Sequence, residues 1–147
     1  MDSEKQKLER EIEKAVELHG HLGPFLVIGV RIGTAAKRNM KLDVEKHKGL
    51  RVTVKVPLVT PFSCVIDGIQ SATTCTVGNQ KLKIENSEKE ITTRFRVEKT
   101  GEEMEISLSQ MLVDELKRKM LEGVSAEELA IQIAAKPEEQ IFTIARQ

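Results

Sequence analysis

The sequence predicts an α+β fold, an antiparallel-rich sheet packed against a buried central helix and flanking helices. Three observations predict it. Residues 24–38 are apolar on nearly every side until Arg31, which marks a helix enclosed by other elements. Several segments alternate apolar and polar residues with the period of two that a half-buried strand requires. Helical and strand runs do not alternate strictly along the chain, which favours α+β packing over a doubly wound sheet. At 147 residues the chain has the length of one domain with one core. No internal repeat or linker divides residues 1–147.

The elements follow in order. Leu8, Ile12, Ala15, Val16 and Leu18 form one stripe among charged residues, so residues 3–18 are an amphipathic first helix. The run Leu18-His19-Gly20-His21-Leu22-Gly23-Pro24 breaks it. Pro24 then suits the first position of the buried helix, where its missing N–H would have no partner. Gly29 and Gly33 lie four apart on one face of that helix, at a cost of about 1 kcal/mol each relative to alanine. Such a pair signals close approach of another element.

Leu50, Val52, Val54 and Val56 alternate with polar residues and predict a strand. Thr60-Pro61 has the pattern of a cap and first position for a short helix through Cys64, Ile66, Ile69 and Gln70. Alternating segments recur at 81–85, 91–97 and 104–108, and Gly101 between the last two predicts a hairpin. Ser109 is a helix cap, Gly123 a helix stop, and Ser125 to Glu128 has capping-box spacing. Pro137 ends that last helix, and Ile141 to Ile144 returns to the sheet as a final strand.

Composition narrows the function. Lys plus Arg and Asp plus Glu number 23 each, so no general basic field attracts nucleic acid or an anionic membrane. There are four Phe, no Tyr and no Trp, a poor supply of rings for stacking bases. The longest apolar run, Phe25 to Val30, is too short to span a bilayer. The N-terminal residues are charged and helical, unlike a signal peptide. Two cysteines do not make a disulfide-stapled scaffold. A cytoplasmic location is the expectation.

The side chains able to ligate a soft or borderline metal, or to act as nucleophiles, are His19, His21, His47, Cys64 and Cys75. Four of the five fall in two irregular segments. Cysteine with histidine favours Zn²⁺ or another divalent transition metal over the oxygen-seeking Mg²⁺ and Ca²⁺. The spacing is not that of a zinc finger, and two small buried hydrophobes are the plain alternative for the cysteines. His47, in a polar run, reads as a surface residue. If the short helix opens near Pro61, Cys64 lies in its first turn, where the dipole should lower the thiol pKa. Asp67 faces the same side of that helix and opposes the thiolate, or else orients a metal-bound histidine. A reversible Cys64–Cys75 disulfide is a further reading, requiring Cα atoms within about 7 Å.

The segment Leu18 to Pro24 with its following Ile28-Gly29-Val30-Arg31-Ile32-Gly33 resembles the opening motif of the E-subunit family of formylmethanofuran dehydrogenase. Cys64-Val65-Ile66-Asp67-Gly68-Ile69-Gln70 and Thr74-Cys75-Thr76-Val77-Gly78-Asn79 are similar to two later blocks of it, in the same order. The resemblance implies an α+β metal-binding domain, commonly a homodimer, with zinc held by His19, His21, Cys64 and Cys75 and with Asp67 and Gln70 close by. It further implies association with a molybdenum or tungsten enzyme complex of one-carbon metabolism. The zinc ribbon that often follows the domain has no counterpart here, since no cysteine occurs after Cys75. Gly23 stands where the family usually has a cysteine. That departure leaves room for an alternative, a non-enzymatic dimeric assembly module with a degenerate metal site. The extended stripe of the first helix adds to the expectation of a dimer.

Overall fold

The computed structural model describes residues 3–42 and 48–146; His47, expected at the surface, lies outside the described residues. The elements are α1 (Glu4–His19), α2 (Pro24–Asn39), β1 (Leu50–Val56), α3 (Cys64–Thr73), β2 (Leu82–Asn86), β3 (Thr92–Val97), β4 (Glu103–Leu108), α4 (Gln110–Leu121), α5 (Ala126–Ala135), a 3-10 turn (Glu138–Gln140) and β5 (Phe142–Arg146). The fold is α+β, with a five-stranded sheet in the order β2-β1-β3-β4-β5.

Local chemistry explains where α1 and α2 begin and end. The Ser3 hydroxyl accepts from the Gln6 N–H and the Gln6 side chain accepts from the Ser3 N–H, a reciprocal cap that opens α1. Gly20 closes it at φ +90°, a left-handed conformation that glycine adopts without steric cost. Pro24 is the first residue of α2 as the sequence predicts, with Gly23 as its cap.

Three sheet pairings are antiparallel and one, β1 with β2, is parallel. The parallel pair was not legible in the alternation. It arises because α3 crosses over between the two strands, making a β1–α3–β2 unit. Leu50, Val52, Val54 and Val56 of β1 and Phe95 and Val97 of β3 turn inward and join α2 and α3 in one core.

A seam almost without side chains joins α2 to α3. A Cβ on Gly29 would collide with the Val65 carbonyl oxygen, and one on Gly68 with that of Leu26. One on Gly33 would lie 2.7 Å from the Ala72 Cβ. The expected close approach at Gly29 and Gly33 is therefore met by α3, which brings a third glycine of its own.

Two expectations change. The Thr60–Pro61 peptide is cis and lies in the turn before α3, so Pro61 does not open that helix. Cys64, Val65 and Ile66 donate to the carbonyls of Pro61, Phe62 and Ser63, and these tight three-residue bonds widen into α-helix only from Cys64. The α1 stripe is also consumed within the chain, since Leu8, Ile12 and Val16 pack with buried Ala15 against Leu26 and Val30 of α2. That stripe does not by itself call for a partner.

The C-terminal half follows the sequence closely. Ser109 caps α4 by accepting from the Leu112 N–H, and Ser125 caps α5 by accepting from the Glu128 N–H. Gly101 and Gly123 hold positive φ in the predicted turns. Arg31 Nη1 reaches from α2 to the carbonyl oxygens of Ile133 and Lys136, tying down the end of α5. No helix among the described residues is long and apolar enough to cross a membrane.

Candidate metal centre

The last residue of α1 meets the middle of α3. His19 Nδ1 lies 2.7 Å from Asp67 Oδ2. An ionised carboxylate only accepts, so the ring donates through Nδ1, and Nε2 is the atom left on its other side. Gln70 Nε2 donates to Asp67 Oδ1 at 3.2 Å, and Gln70 Oε1 accepts from the Val77 N–H at 3.0 Å. Asp67 is thus held from both oxygens, and the His19 ring is only 20% exposed. One chain of bonds fixes the direction of the imidazole.

Cys64 starts α3 one turn before Asp67, on the same face. Its half-buried thiol is pushed above the ordinary value, first by burial and then by the Asp67 charge, with its own backbone N–H giving a little back. The expected lowering by the helix terminus is outweighed by these two effects. A carboxylate that holds a neighbouring thiol protonated would favour a cation in the same place.

The other two expected ligands lie elsewhere. His21 is 58% exposed and its Nε2 sits 3.6 Å from Glu127 Oε1 in the first turn of α5. Cys75 is buried, and its thiol donates to the Leu50 carbonyl oxygen at 3.5 Å. Burial also raises the Cys75 thiol, while the Thr73 hydroxyl and the charge of Lys81 oppose that rise. The two cysteines occupy opposite ends of α3, whose ten residues rise about 15 Å. Both are free thiols, and the intervening helix separates them beyond disulfide reach.

Among the described residues, no three His, Cys, Asp or Glu side chains gather as a group that could hold a metal ion. The donor chemistry nevertheless fits such an ion at one point. His19, oriented through Nδ1 by a carboxylate, has the arrangement of a metal-binding histidine with its outer partner in place, and Cys64 stands one turn before that carboxylate on α3.

Sequence reasoning missed the role of Asn79. Its Oδ1 accepts from the N–H groups of Thr76 and Lys81 and its Nδ2 donates to the Thr74 carbonyl, which closes the loop after α3. The Thr-x-x-Asn spacing was the available signal, because short polar side chains there bond the nearby backbone.

Residues 18–146 match the model of the family described as FmdE, molybdenum formylmethanofuran dehydrogenase operon. The chain belongs to the FmdE family. Its fold is that of a tungsten formylmethanofuran dehydrogenase FmdE-like protein from Syntrophus aciditrophicus, with a TM-score of 0.62 and 21% identity over 95% of this chain and 71% of that one. Over 77 residues, 52% of its length, the FmdE-family chain is 40% identical to a probable S-adenosyl-L-methionine-binding protein of Archaeoglobus fulgidus. It spans only 20% of that relative's length. The FmdE match begins at Leu18, immediately before the histidine loop, and runs through both cysteines to the final strand.

Proposed function

We propose that this FmdE-family chain binds a single transition-metal ion, zinc or another divalent ion of its class, with His19 Nε2 and Cys64 Sγ as protein donors. The observation that carries this reading is the 2.7 Å contact of His19 Nδ1 with Asp67. It orients the ring through Nδ1 and leaves Nε2 as the donor for a metal ion, the arrangement metal-binding histidines have. His21, on the exposed loop between α1 and α2, is a candidate third donor. Cys75 is left out, because ligation would require withdrawing its thiol from the core and from Leu50. Such an ion would supply Lewis acidity and a bound water of lowered pKa. Asp67 would orient His19, and Gln70 would hold Asp67. The family description, which names a molybdenum formylmethanofuran dehydrogenase operon, and the tungsten counterpart named for the structural neighbour support an accessory role beside such an enzyme of one-carbon metabolism. A cytoplasmic homodimer completes the reading.

Elemental analysis of untagged protein and competitive Zn²⁺ titration against a chromophoric chelator test the site. About one ion per chain is expected in the wild type, as a single donor set requires. His19→Ala and Cys64→Ser should abolish tight binding, and Asp67→Asn should weaken it by roughly 10–100-fold. Cys75→Ser should retain the metal. Absence of metal from the wild type after reconstitution, or equal binding by all variants, overturns the reading.

A second reading is the dimeric assembly module with a degenerate site. The engagement of His21 with Glu127 and of Cys75 with Leu50, together with Gly23, favours it. Sedimentation of the metal-free chain at micromolar concentration separates the two, because an assembly module should dimerise without metal. S-adenosyl-L-methionine belongs in the same titrations, since the Archaeoglobus relative is named for binding it.

A further inference from the structure

A cavity of about 460 Å³ lies where the first turns of α1 meet the last turns of α2 and the end of α5. His19 closes the other end of α1, roughly 20 Å away along the helix axis, so this cavity is separate from the candidate metal centre. Five cations and three carboxylates line it. Arg38 is paired with Glu138 at 2.5 Å, and Glu11 with Lys14 at 3.6 Å. What remains on the wall is Lys5, Lys7, Arg31 and Lys37, none in an ion pair among the described residues, against the single carboxylate of Glu4. Glu4 already complements the positive end of α1.

Arg31 is the fixed member of this group. Its Nη1 is bound to the Ile133 and Lys136 carbonyls, so its guanidinium plane is set by two backbone anchors. Among the described residues, Nε and Nη2 have no acceptor. Burial draws its pKa down from the ordinary guanidinium value, opposed by the charge of Glu138. A half-buried cation without a contacting anion is costly. A guanidinium whose Nε–Nη2 edge is free in a fixed plane is the protein's best receptor for an oxyanion.

We propose that this cavity binds a small polyanion, a ligand bearing two or more phosphate or carboxylate groups. Arg31 takes one oxyanion through Nε and Nη2, and Lys7 and Lys37 on the facing helices take the other. Thr34 does not donate, because its hydroxyl proton is given to the Arg31 carbonyl oxygen at 3.1 Å.

Isothermal titration of the full chain with inorganic pyrophosphate and, separately, with citrate tests this in metal-free buffer at physiological ionic strength. Saturable binding of either probe is expected, and the stronger one identifies the phosphate or carboxylate source. The double variant Lys7→Gln, Lys37→Gln and the single Arg31→Lys should each weaken it by about tenfold or more, the range for a charge-assisted hydrogen bond. The double variant keeps the α5 anchor, so its unfolding midpoint without ligand should match the wild type. Lys83→Gln with Lys89→Gln, near the far edge of the sheet, should leave affinity unchanged. Absence of binding by both probes at millimolar concentration overturns the proposal. Equal weakening by the control pair also overturns it, since the attraction would then be general charge.

Discussion

The two ends of α3 carry the same residue type in opposite circumstances. At the first end, Cys64 is half-buried beside Asp67, and Asp67 is in contact with His19. Beyond the last turn, Cys75 is enclosed, its N–H bonded to the Thr73 hydroxyl and its thiol to the Leu50 carbonyl. The first end lies beside a polar cluster at the surface, and the second has its N–H and thiol bonded within the fold. Availability, which spacing does not encode, separates a candidate ligand from a core residue.

The largest way to break this contrast is at Gly68. Gly68→Ala would drive a Cβ into the Leu26 carbonyl and force α3 off α2, at a cost of about 3 kcal/mol, the upper part of the usual overpacking range. Urea denaturation should show that loss. The His19 ring resonances should move as well, because Asp67 shifts with the helix.

A smaller effect distinguishes the two thiols directly. Cys75→Ala should destabilise by about 1–2 kcal/mol, as expected for a small deletion in a packed core. Cys64→Ala should cost less than half as much. Equal costs would mean that Cys64 is as integral to the core as Cys75.

The smallest effect lies in the pH dependence. Both thiols are raised above their ordinary value, so each holds its proton more tightly when folded. Their contribution to stability is complete below the unfolded thiol pKa and is lost as pH rises through the folded one. Denaturation midpoints should therefore decline above the ordinary thiol range, and less steeply in Cys75→Ala. Asp67→Asn removes a like charge and should lower the Cys64 pKa. Cys64 in that variant should then label faster with a disulfide reagent near pH 8, while Cys75 stays masked until unfolding.

Much of the fold was legible because its signals are local. The α2 run, the β1 alternation, the Ser109 and Ser125 caps and the Gly101 turn each depend on a few neighbouring residues. The parallel β1–β2 pairing was not legible, since it joins residues about thirty positions apart through a helix and leaves no mark on either strand's own pattern. Pro61 misled because proline serves a turn as readily as a helix start. At the candidate site, the Asp67–His19 partnership was among the readings the helix face allowed. The bond from Cys75 to Leu50 was not, because it depends on how α3 lies across β1.

The α2–α3 seam has one more consequence. Where Gly29 and Gly68 meet backbone, docking immobilises no side-chain rotamers, so this contact escapes most of the side-chain entropy cost that burial usually carries. At those two points the geometry is set by main-chain atoms, which cannot repack as side chains do. Heating should therefore loosen the sheet's surface and the exposed loops well before it changes the offset of these two helices.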